Sequence, residues 1–200
     1  MKFGIRGDHA QVKALKPAEQ RRFGFPIHPQ IVKRVSKVPL SSKYSAAMIL
    51  AHILYPGRFS QLVASGLDKG KRTTFSVAVD LEPKSMRAIK AYYRNKKFPS
   101  KRLEKKYRAH QFDADSASKQ ISRDMYAESG ILPNPTAMNV GFLRNKKLVF
   151  FEIDRINLEM LEERISALSG EQKKISLVLL TELIKGIDRN DKPPIIYVHQ

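Results

Sequence analysis

The chain of 200 residues contains no cysteine, which excludes a disulfide framework, thiolate zinc sites and cysteine nucleophiles. It also contains no stretch of about 18 apolar residues, the length that a membrane-spanning helix needs. The opening segment, Met1-Lys2-Phe3-Gly4-Ile5-Arg6, lacks the apolar run of a signal peptide. The sequence therefore predicts a cytoplasmic protein with no membrane partner.

Acidic residues are scarce in the first half of the chain. Lys and Arg number 37 and Asp and Glu 19, so the formal net charge is +18. Residues 1–110 hold 25 basic and 6 acidic side chains, a net charge of +19, whereas residues 111–151 carry +1 and residues 152–200 carry −2. A polyanion is the partner that such an excess favours, because neutralised phosphates release counterions.

Proline, glycine and charge divide the chain into three regions. Residues 1–40 are basic, with prolines at positions 17, 26, 29 and 39, and predict an irregular N-terminal arm with one short helix near residues 10–22. Residues 41–129 predict a basic nucleic-acid-binding region. The segment Gly130-Ile131-Leu132-Pro133-Asn134-Pro135 marks the boundary to a C-terminal region, residues 130–200.

Hydrophobic periodicity predicts an α+β fold. The N-terminal and central part is expected to be mainly helical, and a β-hairpin, two helices and a C-terminal strand follow it. Residues 73–81 alternate and are β-rich, which favours a strand, with a helix as the alternative for so short a run. The expected elements are helices at 44–54, 84–95, 100–109 and 116–128, a turn at 112–116, a hairpin of 138–143 with 148–153, helices at 157–168 and from Ser169 to a cap at Gly186, and a strand at 195–198.

The strongest candidate site is a run of cations in residues 84–108, where 11 basic side chains accompany one acid, Glu104. Aromatic residues are interleaved with them. Cations follow a phosphate backbone and aromatic faces stack on unpaired bases, whereas the structural alternative is a solvated basic face whose aromatics point to the core. The predicted nucleic-acid-binding residues are Lys71, Arg72, Arg87, Lys90, Tyr92, Arg94, Lys96, Lys97, Lys101, Arg102, Lys105, Lys106 and Arg108.

Carboxylate pairs at Asp80/Glu82 and Glu152/Asp154 raise the alternative of a metal-dependent nuclease. On a strand, residues i and i+2 lie on one face, which is what a shared metal needs. Pro83 interrupts the first pair's strand, however, and acids at strand ends are common. The sequence assigns no catalytic residue, no metal and no cofactor.

The five histidines, at positions 9, 28, 52, 110 and 199, show no ligand spacing to one another, so a zinc site is not expected. His110 ends the predicted basic helix. A general base for RNA cleavage is the functional alternative to a structural role at this position.

Residues 42–116 resemble the FinO/ProQ family of bacterial RNA chaperones. The cues are Leu54-Tyr55-Pro56-Gly57-Arg58-Phe59, Phe75-Ser76-Val77-Ala78-Val79-Asp80-Leu81, Arg87-Ala88-Ile89-Lys90-Ala91-Tyr92 and Phe112-Asp113-Ala114-Asp115-Ser116, which stand in the family's order. The resemblance implies that residues 75–81 are helical, and that Lys90 and Tyr92 contact RNA. It also implies binding to a hairpin with a single-stranded 3′ tail and promotion of pairing between RNAs.

Together these patterns predict a nucleic-acid-binding protein of the annealing or chaperone type. RNA is favoured over DNA, because interleaved tyrosines suit exposed bases and no recognition-helix pattern is present. The C-terminal region is the candidate surface for a protein partner. The alternatives are a metal-dependent nuclease of mobile-element type and a basic structural subunit of a ribonucleoprotein or phage-like assembly.

Overall fold

The computed structural model describes residues 4–6, 10–36, 42–68, 71–93, 100–136 and 139–185. Side chains are described for most of these, but residues 4–6, 10–11, 36, 42–44, 66–68, 71–72 and 90–93 are described by their backbone alone. In this part of the chain, no helix is both long and apolar enough to cross a membrane. Helices and antiparallel strands are both present, so the α+β prediction is confirmed.

Five strands of the first 77 residues form one antiparallel sheet. The strands are β1 Gly4–Arg6, β2 Ala10–Ala14, β3 Ile31–Ser36, β4 Leu62–Asp68 and β5 Lys71–Val77, in the spatial order β1-β2-β3-β5-β4. The strand predicted at 73–81 is confirmed as β5, up to Val77. The protein therefore has a strand at residues 71–77, where the FinO/ProQ resemblance implies a helix over residues 75–81.

The irregular arm predicted for residues 1–40 is wrong, because β2 and β3 are inner strands of this sheet. Only the short helix α1, Pro17–Arg22, matches the expected element. Its buried Gln20 orders the proline-rich connection to β3: the side-chain amide donates to the carbonyl of Pro26 at 2.6 Å and accepts from the N–H of Ile31 at 3.2 Å. The buried amide of Gln20 thereby pairs with backbone groups within and at the end of an otherwise exposed connection, and its own polar atoms are satisfied.

A larger core joins the sheet to the helices. Helix α2, Ser42–Leu54, is buried from Ala46 to Ala51, as its all-round apolar sequence predicts. Its neighbours in the core come from β4, the end of α4, the short strands and the last two helices. The fully buried members with the lowest exposure are Leu50, Ala51, Ile131, Phe150, Leu161 and Ile165.

Two helices carry 8 of the 11 cations of residues 84–108. Helix α3 spans Pro83–Tyr93, and α4 is one continuous helix of 29 residues, Lys101–Ser129. The turn predicted at residues 112–116 is therefore wrong. Helix α4 begins where the Ser100 hydroxyl accepts from the N–H of Leu103, and it ends at Gly130, whose φ of 72° is left-handed.

Short strands and two helices complete the described chain. The predicted hairpin is confirmed as β7 Val140–Phe142 and β8 Leu148–Phe150, while β6 Ile131–Pro133 pairs with β9 Ile153–Ile156. The two C-terminal helices are also confirmed, as α5 Leu158–Ser166 and α6 Gly170–Lys185. The cap predicted at Gly186 and the strand predicted at 195–198 lie outside the described residues.

We predict that Gly130→Ala destabilises the fold by about 2–5 kcal/mol. The left-handed backbone costs about 1–2 kcal/mol for a residue with a Cβ, and overpacking adds about 1–3 kcal/mol. The new Cβ would lie 2.5 Å from the carbonyl oxygen of Asn157 and 2.9 Å from Cβ of Met160. Urea denaturation measures the change.

The matched control is Gly24→Ala, since Gly24 has a φ of +75° and no neighbouring atom within 4 Å of an added Cβ. It is expected to cost the backbone contribution alone, about 1–2 kcal/mol. Equal losses in the two variants would contradict the close approach of α5 to Gly130.

Candidate functional site

The N-terminal third of α4 presents a dense group of exposed cations. We call it the α4 cationic face, and its members are Lys101, Arg102, Lys105, Lys106 and Arg108, all of which are exposed. The single acid among them, Glu104, is paired with Arg108 at 2.8 Å. The face therefore keeps a strong net positive charge over two helical turns.

An exposed aromatic ring continues this face. Phe112 is 70% exposed, the largest value among the exposed large apolar side chains of the described residues. It lies four residues after Arg108 and seven after Lys105, so the three side chains share one side of the helix. They line a shallow open groove of about 690 Å³ together with Lys101, Ala109 and two acids, Glu104 and Asp113. Cations that can contact phosphates thus lie beside an apolar surface that can contact a base.

The other predicted binding residues lie outside the α4 cationic face, or their side chains are not among those that the structure describes. Arg87 is exposed on α3, and its Nε donates to the carbonyl of Pro83 one turn back in its own helix. Lys90 and Tyr92 are placed on α3, and Lys71 and Arg72 on β5, by their backbone alone. The predicted contacts of Arg94, Lys96 and Lys97 lie outside the described residues.

A buried polar cluster connects α3, α4 and the β7–β8 hairpin. The Glu82 side chain is 8% exposed and pairs with Lys146 of the hairpin. Nε2 of His110 lies 3.4 Å from Oε1 of Glu82 and 2.9 Å from Oγ of Ser85. Ser85 Oγ also accepts from the N–H of Phe142 at 3.0 Å. We call Glu82, Ser85, His110 and Lys146 the hairpin cluster.

The hairpin cluster has the residue types of a hydrolase triad but not its geometry. In a triad the acid and the nucleophile contact opposite ring nitrogens of the histidine, whereas Glu82 and Ser85 both approach Nε2 of His110. Ser85 is also only 2% exposed, which shields its hydroxyl from a substrate. This arrangement favours a structural role for His110 over a base for RNA cleavage, since only 14% of its side chain is exposed.

Burial lowers the pKa of His110 below its ordinary value of 6.5. The carboxylates of Glu82 and Asp113 oppose this shift, and Lys84 and Lys146 reinforce it. A buried imidazole is thus held neutral near pH 7, because charging it would cost the hydration that it has lost.

In neither carboxylate pair do the two acids meet at a shared metal site. Residues 78–80 have left the strand, so Asp80 is exposed and pairs with Arg144 at 2.8 Å, while Glu82 points into the hairpin cluster. Of the second pair, Glu152 contacts Arg34 and Asp154 is exposed. Among the described residues, no group of three or more His, Asp or Glu could hold a metal ion.

The contact of Arg34 with Glu152 forms a second junction, which sequence analysis missed. Arg34 of β3 approaches Glu152 at 3.2 Å across 118 residues of sequence. The carbonyl of Glu152 accepts from the N–H of Asn134, and the N–H of Phe151 donates to the carbonyl of Asn139 at 2.8 Å. Backbone hydrogen bonds thereby hold the segments of Asn134 and Asn139 against Glu152 and Phe151, while the two amide side chains bond to Thr136.

Comparison with known proteins gives no relative: no family model matches the chain, and a search of curated proteins finds no match either.

The lowered pKa of His110 predicts a pH-dependent stability. Its unfolded form, with the ordinary pKa of 6.5, binds a proton at higher pH than the folded form. The free energy of unfolding therefore falls as the pH drops from about 7 through 6.5 towards the folded pKa. Thermal unfolding between pH 5 and about 7.5 should show a shallower dependence in His110→Gln than in the wild type.

His28→Gln is the matched control, since His28 is exposed, and it should keep the wild-type pH dependence. Identical slopes in wild type and His110→Gln would contradict the neutral, buried state of His110.

Proposed function

We propose that this protein binds nucleic acid, RNA in preference to DNA, through the α4 cationic face. The observation that carries the proposal is that five cations are exposed over two helical turns while the one acid among them is paired. Such a face attracts phosphates irrespective of sequence, because counterion release supplies the affinity. The positive end of the helix dipole lies at the same end of α4 and adds to the attraction.

The preference for RNA is supported by the shape of the face. A single exposed helix side with an aromatic ring suits a strand whose bases are accessible, as in RNA loops and tails. Protein-mediated annealing needs only that strands are held and their charge is neutralised. Binding without chemistry is accordingly the mechanism proposed, and a protein partner for the C-terminal region remains a separate proposal.

Replacing Lys101, Arg102, Lys105 and Lys106 together by Ala should weaken binding to every RNA tested. The slope of log K against log salt should become less steep by up to about 3, since each lost phosphate contact removes about 0.7–0.9. Fluorescence anisotropy over a salt series measures both quantities.

The control variant removes four exposed cations from outside this face, Lys119 and Arg123 in the later part of α4 and Lys174 and Lys185 on α6, and lowers the net charge equally. It should lose much less affinity than the variant lacking Lys101, Arg102, Lys105 and Lys106. Equal losses would mean that total charge, and not the α4 cationic face, determines binding.

The junction of Arg34 and Glu152 supports a second function, the binding of a nucleoside phosphate. In protein kinases a cation on the third strand holds phosphates, and Mg²⁺ is held by the acid of a D-F-G segment and by an Asn five residues after the catalytic Asp. Here Arg34 lies on β3, Asn139 follows Asn134 by five residues, and Glu152-Ile153 corresponds to Asp-Phe. This is an analogy in the order and spacing of residues along the chain. The Arg34–Glu152 ion pair and the backbone hydrogen bonds that join the Asn134 and Asn139 segments to Glu152 and Phe151 support it.

The chemistry of this set fits binding better than phosphoryl transfer. Arg34 would contact phosphate oxygens, and the oxygens of Glu152 and Asn139 are the hard ligands that Mg²⁺ prefers. Asn134 stands where a kinase has its catalytic Asp, and an amide cannot accept the proton of an attacking hydroxyl. Helix α2 also has no acidic residue, so Arg34 pairs with Glu152 and not with a helix carboxylate.

Mg²⁺-ATP should therefore raise the melting temperature without being hydrolysed. At a hundredfold excess over Kd the gain is about 2.7 kcal/mol, or about 5–10 °C for a chain of this size. Arg34→Met should abolish the shift. Arg144→Met, which removes an exposed ion pair with Asp80, should retain it, and a shift that survives in Arg34→Met would contradict this site.

A further inference from the structure

We propose that Phe112 is a stacking platform for an unpaired base, so that the α4 cationic face takes a single-stranded segment of nucleic acid. This inference rests on the proposed nucleic-acid function and names the kind of strand that the face accepts. It replaces Tyr92, the aromatic predicted from the sequence, with a residue whose side chain is described and exposed.

The position of Phe112 is fixed by the continuity of α4. Ala114, Ser118 and Met125 on the same helix are buried, and they lie on the side opposite to Phe112 at 100° per residue. The ring cannot turn into the core while these residues remain packed. Its exposure is therefore a property of the fold and not of one rotamer.

The charge of α4 changes sign at Phe112. Five cations and one acid precede it between residues 101 and 108, whereas four acids and two cations follow it between residues 113 and 128. A phosphate backbone is attracted along the first part and repelled by the second. A nucleic-acid strand bound along the cations would therefore end or turn beside the Phe112 ring. There a base can unstack from its neighbouring bases and stack on the ring.

Stacking on an aromatic ring is tolerant of sequence, because every base has a π face. A base on Phe112 would cover apolar surface that now faces water. Three cations line the groove beside it, Lys101, Lys105 and Arg108, and two acids do so as well, Glu104, which pairs with Arg108, and Asp113 at the end of the groove. A blunt duplex keeps its bases inside the stack and offers only phosphates to the same groove. A stacking ring therefore favours nucleic acids with unpaired bases in a tail or loop over blunt duplexes.

The test compares three ligands with the full chain in anisotropy titrations: an RNA hairpin with a single-stranded tail, the same hairpin with an abasic tail, and the blunt hairpin. The abasic tail keeps every phosphate and removes every base. For the wild type, affinity should fall about 5- to 150-fold from the normal to the abasic tail, the range reported for loss of one stacked base. Phe112→Ala should bind both tails equally.

Two variants control for side effects. Phe112→Tyr keeps a stacking ring and should keep the difference between the tails, and Val178→Ala removes another exposed apolar side chain, on α6, and should leave it unchanged. Circular dichroism checks that α4 stays folded in each variant.

The outcomes separate the two proposals. If Phe112→Ala still discriminates between the tails, or the wild type never does, the stacking inference is wrong while binding by the α4 cationic face stands. If the variant lacking Lys101, Arg102, Lys105 and Lys106 binds all three ligands as the wild type does, the proposed function itself is wrong.

Discussion

The C-terminal half of α4 packs into the core through a buried stripe of side chains. The orientation of the α4 cationic face and of Phe112, on the N-terminal half of the same helix, depends on that packing. The buried stripe is rich in serine: Ser118 donates to the carbonyl of Pro135 and Ser122 to that of Pro133, both at 2.6 Å. These bonds satisfy the carbonyls of Pro133, the last residue of β6, and of Pro135 just after it. Apolar side chains could not donate such bonds. The serines thereby fix both the rotation of the helix and the course of the chain that follows it.

That rotation places like charges beside one another on the exposed half. Lys101 faces Lys105, and Arg102 faces Lys106, each at a spacing that destabilises an isolated helix by about 0.2–0.5 kcal/mol. Nothing in the folding of α4 requires this repulsion, whereas a bound phosphate chain removes it. A locally unfavourable arrangement that tertiary packing sustains is typical of a functional surface. His110 adds to that packing, since it ties the exposed half to α3 through Ser85.

Local patterns predicted the elements whose stability is local. The hairpin, α2 and both C-terminal helices follow from caps and periodicity in their own sequences, and β5 from alternation. The arm was mispredicted because β3 is defined by its pairing with β2 across the proline-containing connection and with the distant β5, and by the buried Gln20. None of these is visible in the proline-rich sequence. The turn at residues 112–116 was mispredicted because Asp113, Asp115 and Ser116 favour turns, while burial of Ala114 and Ser118 decides for the helix.

The same distinction applies to the candidate sites. The cations of α4 were predictable from composition, but the exposure of Phe112 beside them was not. The predicted turn at residues 112–116 left open which side of a helix Phe112 occupies. Arg34 and Glu152 meet only through tertiary packing. The two proposed sites would also hold phosphate by different physics: exposed lysines would act through a field that salt screens within about 10 Å, whereas the partly buried Arg34 would first have to leave its pairing with Glu152. Affinity at the α4 cationic face is therefore expected to depend on ionic strength, and affinity at the junction on whether contacts with Mg²⁺ and phosphate replace that ion pair.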